Sequence, residues 1–347
     1  MNIFGMNLEE LQQELHSSMS LPKFRAKQIL EWIYQRDAAS FEEMTNLSKE
    51  LRGELALRYE IGRATLRDRL DSSDGKTSKF LLAFPDNTSV EAVLMRQHYG
   101  NSICISSQAG CNMGCVFCAS ALRGMDRNLE KGEFLAQTIY INELLKEEGE
   151  KVDTIVVMGS GEPLMNYDNL LGFLRLVHEP YGLNLGYRSI TVSTSGIVPS
   201  MYRLMEEELP ITLSISLHAP NDALRSRLMP INKKYPLKDV VAAGKTYGER
   251  TKRRVTYEYI LIDHVNDGEE QARELCHLLE GQLANVNLIP INPVKERNLL
   301  RPSPERIRFF EKFLQSRHVN VTLRKEMGAD INAACGQLRN RNMQAGK

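Results

Sequence analysis

The run Cys111-Asn112-Met113-Gly114-Cys115-Val116-Phe117-Cys118 constrains this chain more than any other stretch. It obliges the fold to present three thiols together on one short loop. Thiolates are the usual ligands of iron–sulfur clusters, and a full set is four. Three at this spacing, with no fourth Cys or His close by, would hold three irons of a [4Fe-4S] cubane and leave one iron open. An open iron implies chemistry rather than electron storage. Structural zinc asks for paired CxxC motifs or a Cys/His quartet, which this neighbourhood lacks. Six cysteines in 347 residues, with no signal peptide, read as a protein of a reducing compartment, the cytoplasm.

The rest of the chain supplies a frame for that loop. Strand-like runs at 102–107, 153–159, 188–193, 211–217, 255–261 and 284–290 alternate with helix-like stretches near 132–148, 168–178, 197–208, 236–250 and 267–281. Six βα units in series predict a parallel sheet. Continuous apolar runs such as Ile155-Val156-Val157-Met158 suit strands covered on both faces. The expected fold class is α/β, a partial (βα)6 barrel over 101–300. A C-terminal extension over 301–347 adds a helix (303–316) and a strand (319–324). Residues 1–60 read as a small all-helical domain: Leu8, Leu11 and Leu15 keep helical spacing, as do Ala26, Ile29, Leu30 and Ile33, and Pro22 suits a helix start. Residues 61–100 read as a β-hairpin linker. Strand-like Lys79–Phe84 and Ser89–Met95 lie beside turn signals at Asp74-Gly75 and Pro85-Asp86-Asn87.

Polar groups gather where the predicted strands end, the end at which α/β barrels keep their active sites. The cysteine loop follows the first strand, and Gly159-Ser160-Gly161-Glu162-Pro163 follows the second. Thr191–Gly196 ends the third, Ser214–Ala219 the fourth and Ile289–Pro293 the sixth. Gly161 permits close backbone approach to a ligand, and Glu162 offers it a carboxylate. Ser193, Ser216 and Asn292 suit hydroxyl groups and the edge of a base, while His218 reads equally as a core histidine. Much later, Asp330–Leu338 reads as a loop of small residues around Cys335; Cys276 fits a helix core instead.

Charge says little globally, since 44 basic and 44 acidic residues cancel. Nucleic-acid binding would have to come from local patches. Residues 231–254 carry Lys233, Lys234, Lys238, Lys245, Arg250, Lys252, Arg253 and Arg254. Smaller groups are Lys23, Arg25 and Lys27, and a tail with Arg324, Lys325, Arg339, Arg341 and Lys347. No apolar run approaches the ~20 residues of a membrane span.

CxxxCxxC followed by Ala119 resembles the signature of the radical S-adenosylmethionine (SAM) enzymes. Further motifs narrow this: Ile103–Cys111, GSGEPL, STSG, SLHAPND, PINKKYP, HVNDG, NLIPINP and the late AACGQLR. Together they resemble the RlmN/Cfr family, radical SAM enzymes that methylate an adenine ring carbon in RNA. The resemblance covers nearly the whole chain, the helical N-terminal domain included. GEPL, STSG and HAPND fit the carbon-2 branch, which acts on 23S rRNA and on an adenosine beside the anticodon of some tRNAs.

The resemblance implies a radical SAM barrel with a [4Fe-4S] cluster on Cys111, Cys115 and Cys118. SAM contacts would come from Gly161, Glu162, Ser193, Ser216, Leu217, His218 and Asn292. Two SAM molecules serve each turnover. The first methylates Cys335; the second yields a 5′-deoxyadenosyl radical that activates the new methyl group for addition to the adenine. Cys104 then resolves the protein–RNA thioether by forming a disulfide with Cys335. Glu91 matches the family's proton acceptor, with Cys104 as a competitor for that proton. The implied partners are 23S rRNA, tRNA and a one-electron donor such as flavodoxin or ferredoxin, with the enzyme a monomer free of membranes. The alternatives are a carbon-8 rRNA methyltransferase and a radical SAM enzyme acting on something other than RNA.

Overall fold

The computed structural model describes residues 1–294 and 296–338; the basic residues expected at 339, 341 and 347 lie outside them. The chain opens with helices α1 (Leu8–Met19), α2 (Phe24–Tyr34) and α3 (Lys49–Arg58). Asn7 starts α1 through a reciprocal cap: its side chain accepts from the Glu10 amide, and the Glu10 carboxylate accepts from the Asn7 amide, each at 2.8 Å. Leu11 and Leu15 bury one face of α1, and Ala26, Ile29, Leu30 and Ile33 one face of α2. This core is continuous with that of the barrel. The Leu8 amide also donates to the Tyr181 hydroxyl at 3.1 Å.

Strands β1 (Thr65–Asp71), β2 (Thr77–Ala83) and β3 (Ser89–Gln97) follow as an antiparallel meander. β3 pairs antiparallel with β4 (Gly100–Cys104), so the hairpin segment is hydrogen-bonded into the main sheet. Next comes a short ribbon, β5 (Gln108–Gly110) and β6 (Met125–Asn128), unanticipated from sequence. The repeating part is α4 (Lys131–Glu147), β7 (Val152–Val157), α5 (Tyr167–His178), β8 (Ile190–Thr194), α6 (Val198–Glu206), β9 (Thr212–Ser216), α7 (Asp222–Leu228), α8 (Leu237–Thr251), β10 (Val255–Leu261), α9 (Glu269–Leu278) and β11 (Ala284–Pro290). It closes with α10 (Pro304–Ser316) and β12 (Val321–Leu323).

All but β5 and β6 join one ten-stranded sheet in the order β1-β2-β3-β4-β7-β8-β9-β10-β11-β12, parallel from β4 onward. The sheet curls into an open barrel, since residues from β3 to β12 wall a single cavity. Period-two alternation divides each strand between helices and lumen. On β10, Tyr257 and Tyr259 are fully buried on the helix side, where Tyr259 stacks on Phe310 at 5.3 Å. Thr256 and Glu258 face inward. Among the described residues no helix is long and apolar enough to cross a membrane.

The basic stretch 231–254 runs along α8 and its flanks. Arg250 is taken by Glu206, and Arg253 donates to Thr212 at 3.1 Å. Lys233, Lys234, Lys238, Lys245, Lys252 and Arg254 remain exposed.

Candidate active site

The cysteine loop is held at its base by the β5–β6 ribbon. The Cys111 amide donates to the Gly124 carbonyl at 2.9 Å. Gly110 has φ +79°, and a Cβ there would run into that same carbonyl, so only glycine closes the ribbon. Above the base the loop leans on α7, with the Val116 amide donating to Leu228 O at 3.0 Å. Cys111, Cys115 and Cys118 all face a cavity of about 150 Å³. Burial raises all three thiols, Cys111 to about 11, and their proximity to one another adds to the rise for Cys111 and Cys115.

Glu162 faces the same cavity and is 2% exposed. Its carboxylate accepts from Leu164 N (3.0 Å), Thr194 Oγ1 (2.8 Å) and Ser195 N (2.6 Å), while its own amide donates to Gln108 Oε1 at 2.8 Å. Burial raises its pKa, and these donors pull it back. Gly161, at φ +105°, packs so closely that a Cβ would lie 2.6 Å from Ser107 Oγ. Ser193, Ser216 and His218 also line this cavity. His218 is held by Ile260 N, which donates to its Nδ1 at 3.0 Å, and by the edge of Phe117 at 4.8 Å. Burial pushes His218 down to about 3, so its ring is neutral. Leu217 does not turn its side chain to the site. The side chain is fully buried in the main core, and only its backbone takes part.

The sequence reading missed Arg225 on α7, which is completely buried. Its guanidinium donates to the carbonyls of Ser195 (2.7 Å), Ser216 (3.0 Å) and Leu217 (3.2 Å) and to Asn232 Oδ1 (2.8 Å). It thereby ties together the ends of β8 and β9 that carry the cavity's hydroxyl groups. Burial lowers it to about 10, so it stays charged at neutral pH. Arg225→Ala leaves these acceptors without a donor and should cost on the order of 4 kcal/mol of unfolding free energy. Chemical denaturation of the cluster-free protein would measure this.

A second cavity, of about 440 Å³, opens beside the first. Cys104 faces it, 7% exposed and pushed up to about 12 by burial. Val93, which pairs with Cys104 across the strands, and Met95 line it too. Glu91 lies two residues further along the same face, outside the cavity lining, with its carboxylate 3.1 Å from Lys79 Nζ.

Cys335 lies on the wall between the two cavities and borders both. Its loop is fastened through backbone atoms. Asn292 Nδ2 donates to Cys335 O (3.2 Å), Ala119 N to Gly336 O (2.7 Å) and Ser120 Oγ to Leu338 O (2.7 Å). Ala333 and Leu338 pack against Cys104 and Val93. Arg324, on the same dividing wall, is raised chiefly by Cys335.

The residues present suit an iron–sulfur cluster with SAM beside it. Among the described residues no three His, Cys, Asp or Glu side chains close on one point as the ligands of a single ion would. Three thiols spread around one cavity suit a group containing several irons. Asn292 Oδ1, bordering the neighbouring cavity, is buried without a hydrogen-bond donor, a vacancy that a bound molecule can fill.

Comparison with known proteins agrees with this chemistry. Residues 105–276 match the model of the radical SAM superfamily, and residues 1–61 that of the ribosomal RNA large subunit methyltransferase N-terminal domain. A probable dual-specificity RNA methyltransferase RlmN of Symbiobacterium thermophilum is 53% identical over 344 residues, covering 97% of this chain and 91% of that protein. A relative of the same description from Bacillus cytotoxicus is 51% identical over 338 residues, covering 97% and 93%. The crystal structure of a radical SAM methyltransferase from Sphaerobacter thermophilus superimposes with a TM-score of 0.94 at 44% identity, covering 98% of this chain and 99% of that one.

Proposed function

This chain belongs to the RlmN family of radical SAM RNA methyltransferases, and from that premise we infer that it methylates carbon 2 of an adenosine in 23S rRNA and of an adenosine beside the anticodon of tRNAs. The observation that carries the reading is the position of Cys335, on the wall shared by the cysteine-lined cavity and the Cys104 cavity.

Carbon 2 of adenine is not nucleophilic, so direct polar methyl transfer has no route. Bound at their sites, the [4Fe-4S] cluster and SAM supply an electrophilic methyl group and one-electron chemistry able to break an unactivated C–H bond. Cys111, Cys115 and Cys118 hold the cluster. Glu162, fixed by three donors, keeps one lone pair on Oε2 for the amino group of SAM. Gly161, Ser193, Ser216 and His218 shape the rest of that pocket, Asn292 offers its Oδ1 from the neighbouring cavity, and Leu217 contributes through its main chain. Cys335 is the nucleophile: its sulfur takes a methyl group from SAM and presents that carbon to the larger cavity. Cys104 faces the same cavity as the partner for a later disulfide. Glu91 is the acceptor for the ring proton; burial keeps Cys104 a protonated thiol, so to compete it must first lose its own proton.

The exposed lysines around α8, with Lys23 and Lys27 beside α2, give phosphate contacts. The target base must leave its stack to reach the cavity. We place the enzyme in the cytoplasm, acting as a monomer with a flavodoxin or ferredoxin as electron donor.

The test is to reconstitute the protein anaerobically, expose it to SAM, digest it and weigh the Cys335 peptide. One added methyl group is expected on Cys335, and none when Cys111 is replaced by alanine. A reconstituted protein that cleaves SAM yet leaves Cys335 unmodified would overturn the reading.

A further inference from the structure

Lys79 is a buried cation that the reaction above leaves without a task. Its side chain is 5% exposed. Strand register pairs Lys79 with Val93, Leu81 with Glu91, and Val93 with Cys104. Directly opposed residues share a face, so Lys79, Glu91 and Cys104 lie on the same side of the sheet. The Lys79 ammonium meets the Glu91 carboxylate at 3.1 Å and donates to the main-chain carbonyl of Asn332 at 3.2 Å. Both partners are acceptors, and the ammonium bridges them where water has little access.

The Asn332 carbonyl belongs to the turn from which Cys335 projects. Asn332 has φ +51°, and the turn is closed by Ala333 N donating to Gly328 O at 2.8 Å. The same turn rests on the start of the β1–β2 hairpin. Ser73 N donates to Asp330 Oδ2 at 2.8 Å, and Gly328 packs so tightly that a Cβ would lie 2.6 Å from Thr77 Cγ2. The loop is thus held on the hairpin before Cys335 and on the cluster loop after it.

We propose that Lys79 is a positioning residue for the methyl-accepting cysteine: its ammonium bridges Glu91 to the Asn332 carbonyl and so fixes the turn that sets Cys335 between the two cavities. The proposal rests on Cys335 being the methyl acceptor. A lysine that served stability alone could be exchanged, together with its partner, for apolar side chains with no effect on the loop. A positioning lysine could not.

Two variants separate these cases: Lys79→Met, and the double variant Lys79→Met with Glu91→Leu, which removes both members of the ion pair and keeps the fold testable if the single variant is unstable. Hydrogen exchange of the 328–335 peptide is measured on the unloaded protein. It should rise about tenfold or more, the size expected when a hydrogen bond from a charged donor is lost. After reconstitution, methylation of Cys335 by SAM should slow by about 10- to 100-fold, as displacement of a reacting group by roughly 1 Å does. A double variant with wild-type loop exchange and a wild-type methylation rate would overturn the proposal. If the wild-type protein never acquires a methyl on Cys335, the reading of that cysteine fails, and the exchange measurement still judges the tether.

Discussion

Cys335→Ala is expected to abolish RNA methylation, with no product above the enzyme-free background. The target carbon cannot attack SAM, so removing the sulfur that carries the methyl group removes the only route proposed. The variant should otherwise be intact. The contacts that fasten the loop run through the Cys335, Gly336 and Leu338 carbonyls, none of which uses the thiol. Alanine also suits a half-buried position next to Ala333 and Ala334. The measurement is transfer of labelled methyl from SAM into 23S rRNA and tRNA, with cluster content and RNA affinity as controls. Any product formed by a well-folded Cys335→Ala protein would remove this cysteine from the reaction.

Cys104→Ala should produce a different failure. Cys335 is methylated and the new carbon reaches the RNA, but release has no partner thiol. A covalent protein–RNA species should accumulate and be visible as a shifted band on a denaturing gel. Cys104 faces the same cavity as Cys335 and packs on Ala333 and Leu338 of its loop. Val93, Met95, Val156 and Ile331 also pack around it, and trimming a single thiol costs about 1 kcal/mol, too little to unfold the barrel. Free methylated RNA released at the wild-type rate would mean that Cys104 is not the resolving group.

The barrel was readable because parallel strands covered on both faces leave long apolar runs, as at 155–158, and because site residues fall where those runs stop. Glu162 stood out in that way, the cluster thiols by their own spacing, and His218 only through the family resemblance. Arg225 did not, since an arginine followed by Ser226 and Arg227 reads as surface; its burial follows from helix α7. The available signal was Asn221, whose side chain accepts from Leu224 N at 2.9 Å as a helix cap, with Leu224 and Leu228 four residues apart. The β5–β6 ribbon left no trace because strands of three and four residues carry no usable period, and their pairing depends on where the cysteine loop returns. Lys79 and Glu91 did leave one. Each is a charged residue directly beside a run of apolar ones, Lys79 before Phe80–Ala83 and Glu91 before Ala92–Met95, a pattern that suits a buried pair.

Most of the residues lining the cluster cavity lie before Pro290, whereas the remainder, its roof, comprises Arg324, Cys335 and Gly336. On the ribosome the roof therefore emerges after the walls. A nascent chain offers Cys111, Cys115 and Cys118 to an iron–sulfur carrier while the cavity is still open above them. In the finished protein the hydrogen bonds from Ala119 to Gly336 and from Ser120 to Leu338 fasten that roof to the cluster loop. Loading during synthesis is therefore expected to be faster than reloading of the finished protein, and iron incorporation in a translation reaction, set against that into purified apoprotein, measures the difference.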